Sequence, residues 1–278
     1  MAQQAQRDSA RLRLFERLID HAALFPPASM DMPAAMEADR SARGGDHAWM
    51  LGRFICPASR LGELPAGAPR LSVVLDGGEG DLEVVHEARL DGRVVELVEA
   101  RIDPAWIPDT QELVRAKLGE GVEAFWELAP GRALRGAVAA VREARAGAKI
   151  RCGGATAAPP AEAVAEFIAA CRDADVRFKA TAGLHHAIRA GDAHGFLNVL
   201  AAAVFAYADG LSADELVPLL AEEDPQAFAV DAGGLALHGR RADAEQIAEA
   251  RRDLFVAYGS CSFSEPVEDL TALGILTG

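Results

Sequence analysis

Two lysines interrupt apolar stretches that are typical of buried strands. Lys149 lies in AKIRCGG (148–154) together with Arg151, and Lys179 lies in VRFKATAG (176–183). Burying an unpaired ammonium group costs several kcal/mol, so the group must be paired with an acid or lose its proton. Burial and a neighbouring cation both favour the neutral amine, which attacks carbonyl compounds. The two lysines and the arginine therefore predict a site for Schiff-base chemistry, in which a second cation keeps an amine neutral.

The same lysines also have a purely structural interpretation, in which each forms an ion pair inside the fold. Lys149 would pair with Glu127, and Lys179 with Glu99. For a single buried lysine the two interpretations are equally good. The crowding of two lysines and Arg151 at one edge favours a chemical role.

Short apolar strands alternate with helical segments along the chain, which predicts parallel strands joined by right-handed crossovers. The number of such units in 278 residues favours a closed (β/α)8 TIM barrel over an open sheet, and no GxGxxG or GxxxxGK[ST] motif follows a strand. We predict one α/β domain over 1–278, with an N-terminal helix and a small helix and hairpin insertion at about 211–245, before the last strand. The predicted strands are 22–27, 52–58, 70–77, 94–102, 122–129, 148–154, 176–183 and 259–263.

Helix signals accompany these strands. Capping-box patterns predict helix starts at Asp109, Ser212 and Asp243. The segment 195–208 is apolar on all sides, which exceeds what packing on a barrel needs. The additional apolar surface of this segment is expected to be covered by the insertion or to form a contact in a homo-oligomer. The residues that predict an amphipathic first helix are Leu12, Phe15, Leu18 and Ile19.

Alternate residues of a barrel strand face the interior, and this alternation places several polar side chains there. On the fourth strand either Glu96 or Glu99 faces inward, and Glu99 is nearer the C-terminal end. Active sites of (β/α)8 enzymes lie at the C-terminal mouth of the barrel. The residues that we expect at this mouth are Asp76, Glu99, Glu127, Lys149, Arg151, Lys179 and Thr181.

Around the two lysines the sequence resembles the class I, Schiff-base aldolases, and deoxyribose-phosphate aldolase in particular. That family is a (β/α)8 barrel with the Schiff-base lysine on strand six and a second lysine, which lowers the pKa of the first, on strand seven. Here KIRCGG supplies Lys149 and KATAG supplies Lys179. The resemblance implies a lyase without a cofactor, in which Lys149 attacks a small oxo-acid or sugar phosphate and Lys179 keeps it unprotonated. ALFPPA, WMLGRFICPASRL and GSCSFSEP also resemble a bacterial protein family, which implies no activity.

Further residues near the mouth are expected to transfer protons and to bind substrate. Glu127 or His185 would transfer protons, and Arg151 would hold a carboxylate or phosphate. At most one of His185 and His186 reaches the pocket, because neighbours in an extended chain point in opposite directions. The residues expected to bind substrate are Asp76, Glu99, Arg151, Thr181, His186, Ser260 and Ser262.

Two other functions remain open. In the first, a divalent metal would support an isomerase or hydrolase. In the second, a non-catalytic barrel would bind an anionic metabolite through Arg151. Cys152 and Cys261 are expected to pack only, because neither has an identifiable base partner. The ligands of the metal alternative would be Glu99, Glu127, Asp76 and either His185 or His186.

The charge of the chain limits its partners. The formal charge is 28 − 42 = −14, and no Lys/Arg-rich block occurs, so nucleic acid and anionic membrane surfaces are not expected partners. The N-terminal segment lacks the apolar region of a signal peptide, and the four cysteines form no CxxC pair. We therefore expect a cytoplasmic protein that acts on a small anionic or carbonyl metabolite.

Overall fold

Eight parallel strands close into a barrel in the computed structural model, which describes residues 10–78, 80–154 and 157–276. Each strand pairs with the next barrel strand along the chain, and the last strand lies between the seventh and the first. The prediction of a (β/α)8 barrel is confirmed. The barrel strands are β1 (Ile19–His21), β2 (Leu51–Pro57), β3 (Leu71–Val74), β4 (Val95–Ala100), β5 (Glu123–Glu127), β6 (Gly147–Arg151), β7 (Phe178–Thr181) and β11 (Phe255–Ser260).

Helices surround the barrel and bury one apolar face against it. On the helix over 134–143, the apolar residues at i, i+3, i+4 and i+7 are all buried, namely Leu134, Ala137, Val138 and Val141. Within the described residues, short 3-10 helices lie at 48–50, 58–63, 104–106 and 225–227. The helices are α1 (Ala10–Phe15), α2 (Met32–Gly44), α3 (Asp81–Leu90), α4 (Ile107–Leu118), α5 (Leu134–Glu143), α6 (Ala161–Asp173), α7 (Phe196–Asp209), α8 (Ala213–Leu220), α9 (Ala244–Asp253) and α10 (Ser264–Ala272).

The insertion before the last strand contains α8 and a small antiparallel sheet. Its strands are β8 (Ala229–Asp231), β9 (Gly234–Leu237) and β10 (Arg240–Ala242). The predicted capping boxes at Ser212 and Asp243 are both formed. Helix α7 packs against α6, α8 and α9, and its residues 196–206 are all buried. The apolar excess of α7 is therefore covered by its own chain.

The first strand differs from its prediction. The segment 22–27 forms turns, and β1 is instead the short segment just before it. Helix α1 ends at Phe15, and Arg17 then adopts a φ of 50°, a left-handed conformation that stops a helix. Ile19 therefore starts a strand, although its spacing from Phe15 fits a helix. Residues 1–9, which include the start of the predicted N-terminal helix, lie outside the described residues.

Two other boundaries also shift. The last strand covers 255–260 rather than 259–263, since the chain turns away after Ser260. Asp109 does not cap a helix, because α4 already begins at Ile107, directly after a 3-10 helix that Asp103 caps. Asp103 accepts from the backbone N–H of Ala105 at 2.9 Å.

The ring of Phe125 on β5 packs over Gly147 on β6, where an added Cβ would lie 2.3 Å from the ring. Gly147 therefore leaves room for this ring below the polar side chains of Glu127 and Lys149. Among the described helices, none is long and apolar enough to cross a membrane.

Candidate active site

Ion pairs of alternating sign cross the C-terminal half of the barrel interior. Lys179 Nζ lies 2.6 Å from Asp20 Oδ2 and 2.5 Å from Glu99 Oε1. Lys149 Nζ lies 3.1 Å from Glu99 Oε2 and 3.2 Å from Glu127 Oε2. Each lysine therefore contacts two carboxylates, and Glu99 bridges the two lysines with its two oxygens.

These side chains form two connected clusters that differ in depth. The Ser72 hydroxyl donates a hydrogen bond to Glu99 Oε1 at 2.5 Å. Arg151 donates from Nε and Nη2 to the two oxygens of Glu127 at 3.2 and 3.3 Å. The Arg151 side chain is 41% exposed, whereas that of Lys179 is 1% exposed. We call Asp20, Ser72, Glu99 and Lys179 the deep cluster, and Glu127, Lys149 and Arg151 the rim cluster.

The strand register brings these residues together. Glu127 on β5 lies opposite Lys149 on β6, and Lys149 lies opposite Lys179 on β7. Residues that lie opposite each other on neighbouring strands point to the same side of the sheet, so all three point into the barrel. Glu99 on β4 completes the set, while Glu96 lies 2.8 Å from Arg53 in another ion pair. Of the two acidic candidates on β4, Glu99 is the one that meets the lysines.

Asp20 on β1 is part of the site and was missed from the sequence. It is fully buried and accepts a hydrogen bond from the backbone N–H of Arg53 at 2.7 Å. It fits against β2 because residue 52 is a glycine, where an added Cβ would lie 2.3 Å from Asp20 Oδ1. Because the helical spacing of Leu18 and Ile19 continues from α1, a strand was not expected here. Ser72 was missed too, and its polar type within the apolar run LSVV was the available signal.

The electrostatics of the deep cluster favour its charged forms. Burial by itself lowers the pKa of Lys179, but the carboxylates of Asp20 and Glu99 outweigh burial and raise it. Burial raises the pKa of Glu99, but the two lysines lower it well below its usual range. Burial likewise raises the pKa of Glu127, but the charges of Lys149 and Arg151 outweigh burial, so that the pKa is lowered.

The expectation that the two lysines keep each other neutral is wrong for Lys179. Its ammonium group has a carboxylate on either side, so its charge is stabilised rather than repelled. Glu99 separates it from Lys149 and offsets the like charge. The ion pairs of the structural interpretation are therefore formed, both for Lys149 with Glu127 and for Lys179 with Glu99.

A cavity of about 160 Å³ opens above the rim cluster at the barrel mouth. This volume is below the roughly 300–1,000 Å³ of sites for drug-sized ligands, so the cavity suits a small molecule. Lys149 contributes to its wall, whereas Lys179 is absent from the lining among the described residues. The polar lining consists of Glu99, Lys149, Arg151, Thr181, His185, Ser260 and Cys261, and apolar lining comes from Ala22, Phe25, Pro26, Ile55, Val74 and Leu184.

The two adjacent histidines point to different places. His185 lines the cavity, with Nδ1 3.6 Å from Cys261 Sγ. His186 is exposed, and its Nδ1 lies 3.1 Å from Asp269 Oδ2. The expectation that Cys261 has no base partner is therefore wrong. His186 was expected to bind substrate, but it does not reach the cavity.

Two more expected site residues lie away from the cavity. Asp76 is exposed and accepts from the backbone N–H and the hydroxyl of Ser59, at 3.0 and 2.6 Å. It lines a separate cavity beside α4, so its side chain lies at another edge of the barrel. Ser262 accepts from the backbone N–H of Glu265 at the start of α10, at 3.2 Å. Its role there is to support the helix start.

The alternative metal site is not assembled from the expected ligands. No three His, Cys, Asp or Glu side chains within residues 10–78, 80–154 and 157–276 are grouped so that they could hold a metal ion. Glu99 and Glu127 instead direct their carboxylates to lysine and arginine groups. The carboxylates of Glu99 and Glu127 are therefore paired with cationic side chains.

No family model matches the chain, and no curated protein matches it either. The fold and the site define its class as a (β/α)8 barrel with paired lysines and carboxylates below a small cavity at the C-terminal mouth. The resemblance to class I aldolases rests on the two segments that contain Lys149 and Lys179.

Proposed function

We propose that the protein is a lyase of class I aldolase type, which forms a Schiff base between Lys149 and a small oxo-acid or aldehyde. The supporting observation is that Lys149 Nζ lies in the wall of the mouth cavity, between two carboxylates and beside an arginine. The carboxylates provide proton acceptors for an amine that must lose a proton before it reacts. Arg151 provides a planar cation for a carboxylate or phosphate of the substrate.

Substrate binding would itself activate Lys149. In the free protein burial raises the pKa of Glu127, whereas the paired Arg151 contributes to lowering it. A carboxylate or phosphate in the cavity would draw the guanidinium away from Glu127. The pKa of Glu127 would then rise, and Glu127 would accept a proton from Lys149 at 3.2 Å. The amine is thus released only when an anionic substrate is present.

The free amine would then add to the carbonyl carbon. The nitrogen loses a proton and the carbonyl oxygen takes one up, which gives a carbinolamine; a further proton lets this oxygen leave as water, so that an iminium forms. The bond between the α and β carbons then breaks: its electron pair moves toward the iminium to give an enamine, while the β-hydroxyl group gives up its proton and becomes the carbonyl of the aldehyde that leaves. Glu127 lies next to the nitrogen, and His185 lines the same cavity, so these two residues would transfer the protons.

A second candidate is a non-catalytic barrel that binds an anionic metabolite. It is favoured by the complete pairing of both lysines with carboxylates in the free protein. In this function Arg151 would bind the anion, and no amine would react. A metal-dependent isomerase or hydrolase has less support, because its expected carboxylates contact Lys149 and Arg151.

Borohydride trapping distinguishes these functions. The chain contains only three lysines, Lys117, Lys149 and Lys179, so the position of an adduct is easily mapped by peptide mass spectrometry. We expect pyruvate, glyceraldehyde 3-phosphate or a related compound to give a reduced adduct on Lys149 alone. The exposed Lys117 is an internal control, and Lys149→Met should abolish the adduct while Lys117→Met leaves it unchanged. Anion-dependent thermal stabilisation without any adduct would contradict the lyase and support the binding protein.

A further inference from the structure

Cys261 and His185 form a close thiol–imidazole pair in the mouth cavity, and neither residue belongs to the deep or the rim cluster. Cys261 follows β11, and His185 lies in the loop after β7. The thiol lies 3.6 Å from His185 Nδ1, which is within hydrogen-bonding range for sulfur. Both residues line the cavity, so a small molecule bound there would contact the sulfur and the imidazole together.

The environment of the Cys261 thiol can be compared with that of the other three cysteines. All four cysteines are buried, and burial raises the pKa of the Cys56 and Cys152 thiols to about 12. Burial also raises the pKa of Cys261, but there the backbone N–H of Ala28 favours the thiolate. An adjacent imidazole can remove the thiol proton during attack, so a large resting fraction of thiolate is unnecessary. A thiolate with a high pKa is also an intrinsically strong nucleophile.

We propose that Cys261, with His185 as its base, is a second nucleophile of the barrel mouth that adds reversibly to small aldehydes. His185 Nδ1 takes the thiol proton as the bond from Sγ to the carbonyl carbon forms. The carbonyl π pair moves to the oxygen, which takes the proton back from the imidazole. The product is a thiohemiacetal, and no oxidant, reductant or other reactant is consumed. The site does not depend on a Schiff base at Lys149.

Native alkylation with iodoacetamide tests the activation of the thiol. We expect Cys261 to be carbamidomethylated well before Cys56, Cys152 and Cys171, with each site quantified by peptide mass spectrometry. A positioned general base contributes roughly 10²–10⁴-fold to proton transfer, so His185→Asn should slow the reaction at Cys261 by at least about tenfold. His186→Asn is the matched control, because that neighbouring histidine pairs with Asp269 outside the cavity, and it should leave the rate unchanged.

Competition by an aldehyde tests the ligand class and does not require a His185 variant. Glycolaldehyde should protect Cys261 from iodoacetamide, and dilution should reverse the protection. The protection should persist in Lys149→Met, because the proposed bond is to sulfur. Loss of protection in Lys149→Met would show that the aldehyde binds at the lysine and would overturn the proposal. Alkylation that is equal at all four cysteines, or equal in His185→Asn and the wild type, would also overturn it. Neither outcome bears on borohydride trapping at Lys149.

Discussion

The deep and rim clusters use the same pairing pattern but differ in their access to solvent. Each centres on a lysine between two carboxylates, one on β7 and one on β6. Lys179 is enclosed by Asp20, Glu99 and the barrel wall, whereas Lys149 borders the mouth cavity beside a half-exposed arginine. A buried ion pair with fixed partners mainly specifies the structure, whereas a pair with a partner that a ligand can displace is available for chemistry. The comparison favours a structural role for Lys179 and supports the proposed reactive role of Lys149.

Removing the deep lysine should have the largest effect on stability. Lys179→Met removes the fully buried cation between Asp20 and Glu99, so that Glu99 keeps only Lys149 at 3.1 Å and Asp20 keeps only Arg53 at 3.7 Å. Breaking a buried pair from one side costs about 3–5 kcal/mol, and we expect a loss of that size in the free energy of urea unfolding. Lys149→Met should cost clearly less, because Glu99 keeps Lys179 and Glu127 keeps Arg151. Equal losses for the two variants would contradict the difference between the clusters.

Acid should weaken the deep cluster through Glu99. Because its folded pKa is lowered, the stability that it contributes is present above its ordinary pKa of about 4.5 and is lost as the pH falls below that value. Lys179 behaves oppositely, because its pKa is raised in the folded state. The stability that Lys179 contributes is therefore present below pH 10.5 and is lost only at higher pH. The unfolding free energies of wild type and Glu99→Gln should therefore converge below about pH 4.5. A difference between them that does not change with pH would argue against this assignment.

Substitution of Gly52 tests the position of Asp20 without removing a charge. In Gly52→Ala the new Cβ would lie 2.3 Å from Asp20 Oδ1, so the carboxylate must shift from the position in which it accepts from Arg53 and contacts Lys179. Overpacking of this kind costs about 1–3 kcal/mol, which thermal unfolding would measure. Gly62→Ala is the matched control, because an added Cβ there has no neighbour within 4 Å, and a similar loss in both variants would contradict the proposed contact.

The smallest stability effect is expected at the rim. Arg151→Gln removes a half-exposed ion pair with Glu127, which contributes less than about 1 kcal/mol. The same change should remove the preference for anionic over neutral carbonyl compounds in borohydride trapping at Lys149, because the cation that selects them is lost. Arg135→Gln, which breaks an exposed pair with Glu166 on the outer helices, is the control and should preserve that preference. An unchanged preference in Arg151→Gln would exclude the proposed activation by substrate.

Much of the architecture was predictable because the chain marks it locally. Apolar strands alternating with capped helices predicted the barrel, and Ser212 and Asp243 predicted two helix starts. Lys149 and Lys179 were predictable site residues because charged side chains rarely interrupt such strands. The chain has 28 Lys and Arg residues in total but only three lysines, an imbalance on which that prediction does not rest.

Other parts of the site could not be predicted from local patterns. Asp20 lies on a three-residue strand whose apolar neighbours continue the helical spacing of α1, so nothing marked it as an inward residue. Cys261 and His185 are 76 positions apart in the sequence and meet only because β7 and β11 are neighbours in the barrel.

By itself the sequence determined the barrel, the inward direction of Lys149 and Lys179, and the strands that carry Glu99 and Glu127. Only the tertiary structure decided that Glu99 lies between the two lysines and that Asp20 encloses the deeper one. The reason is physical, because alternation along a strand fixes the side to which a residue points, whereas the charge state of a buried amine depends on groups that barrel closure brings from distant strands.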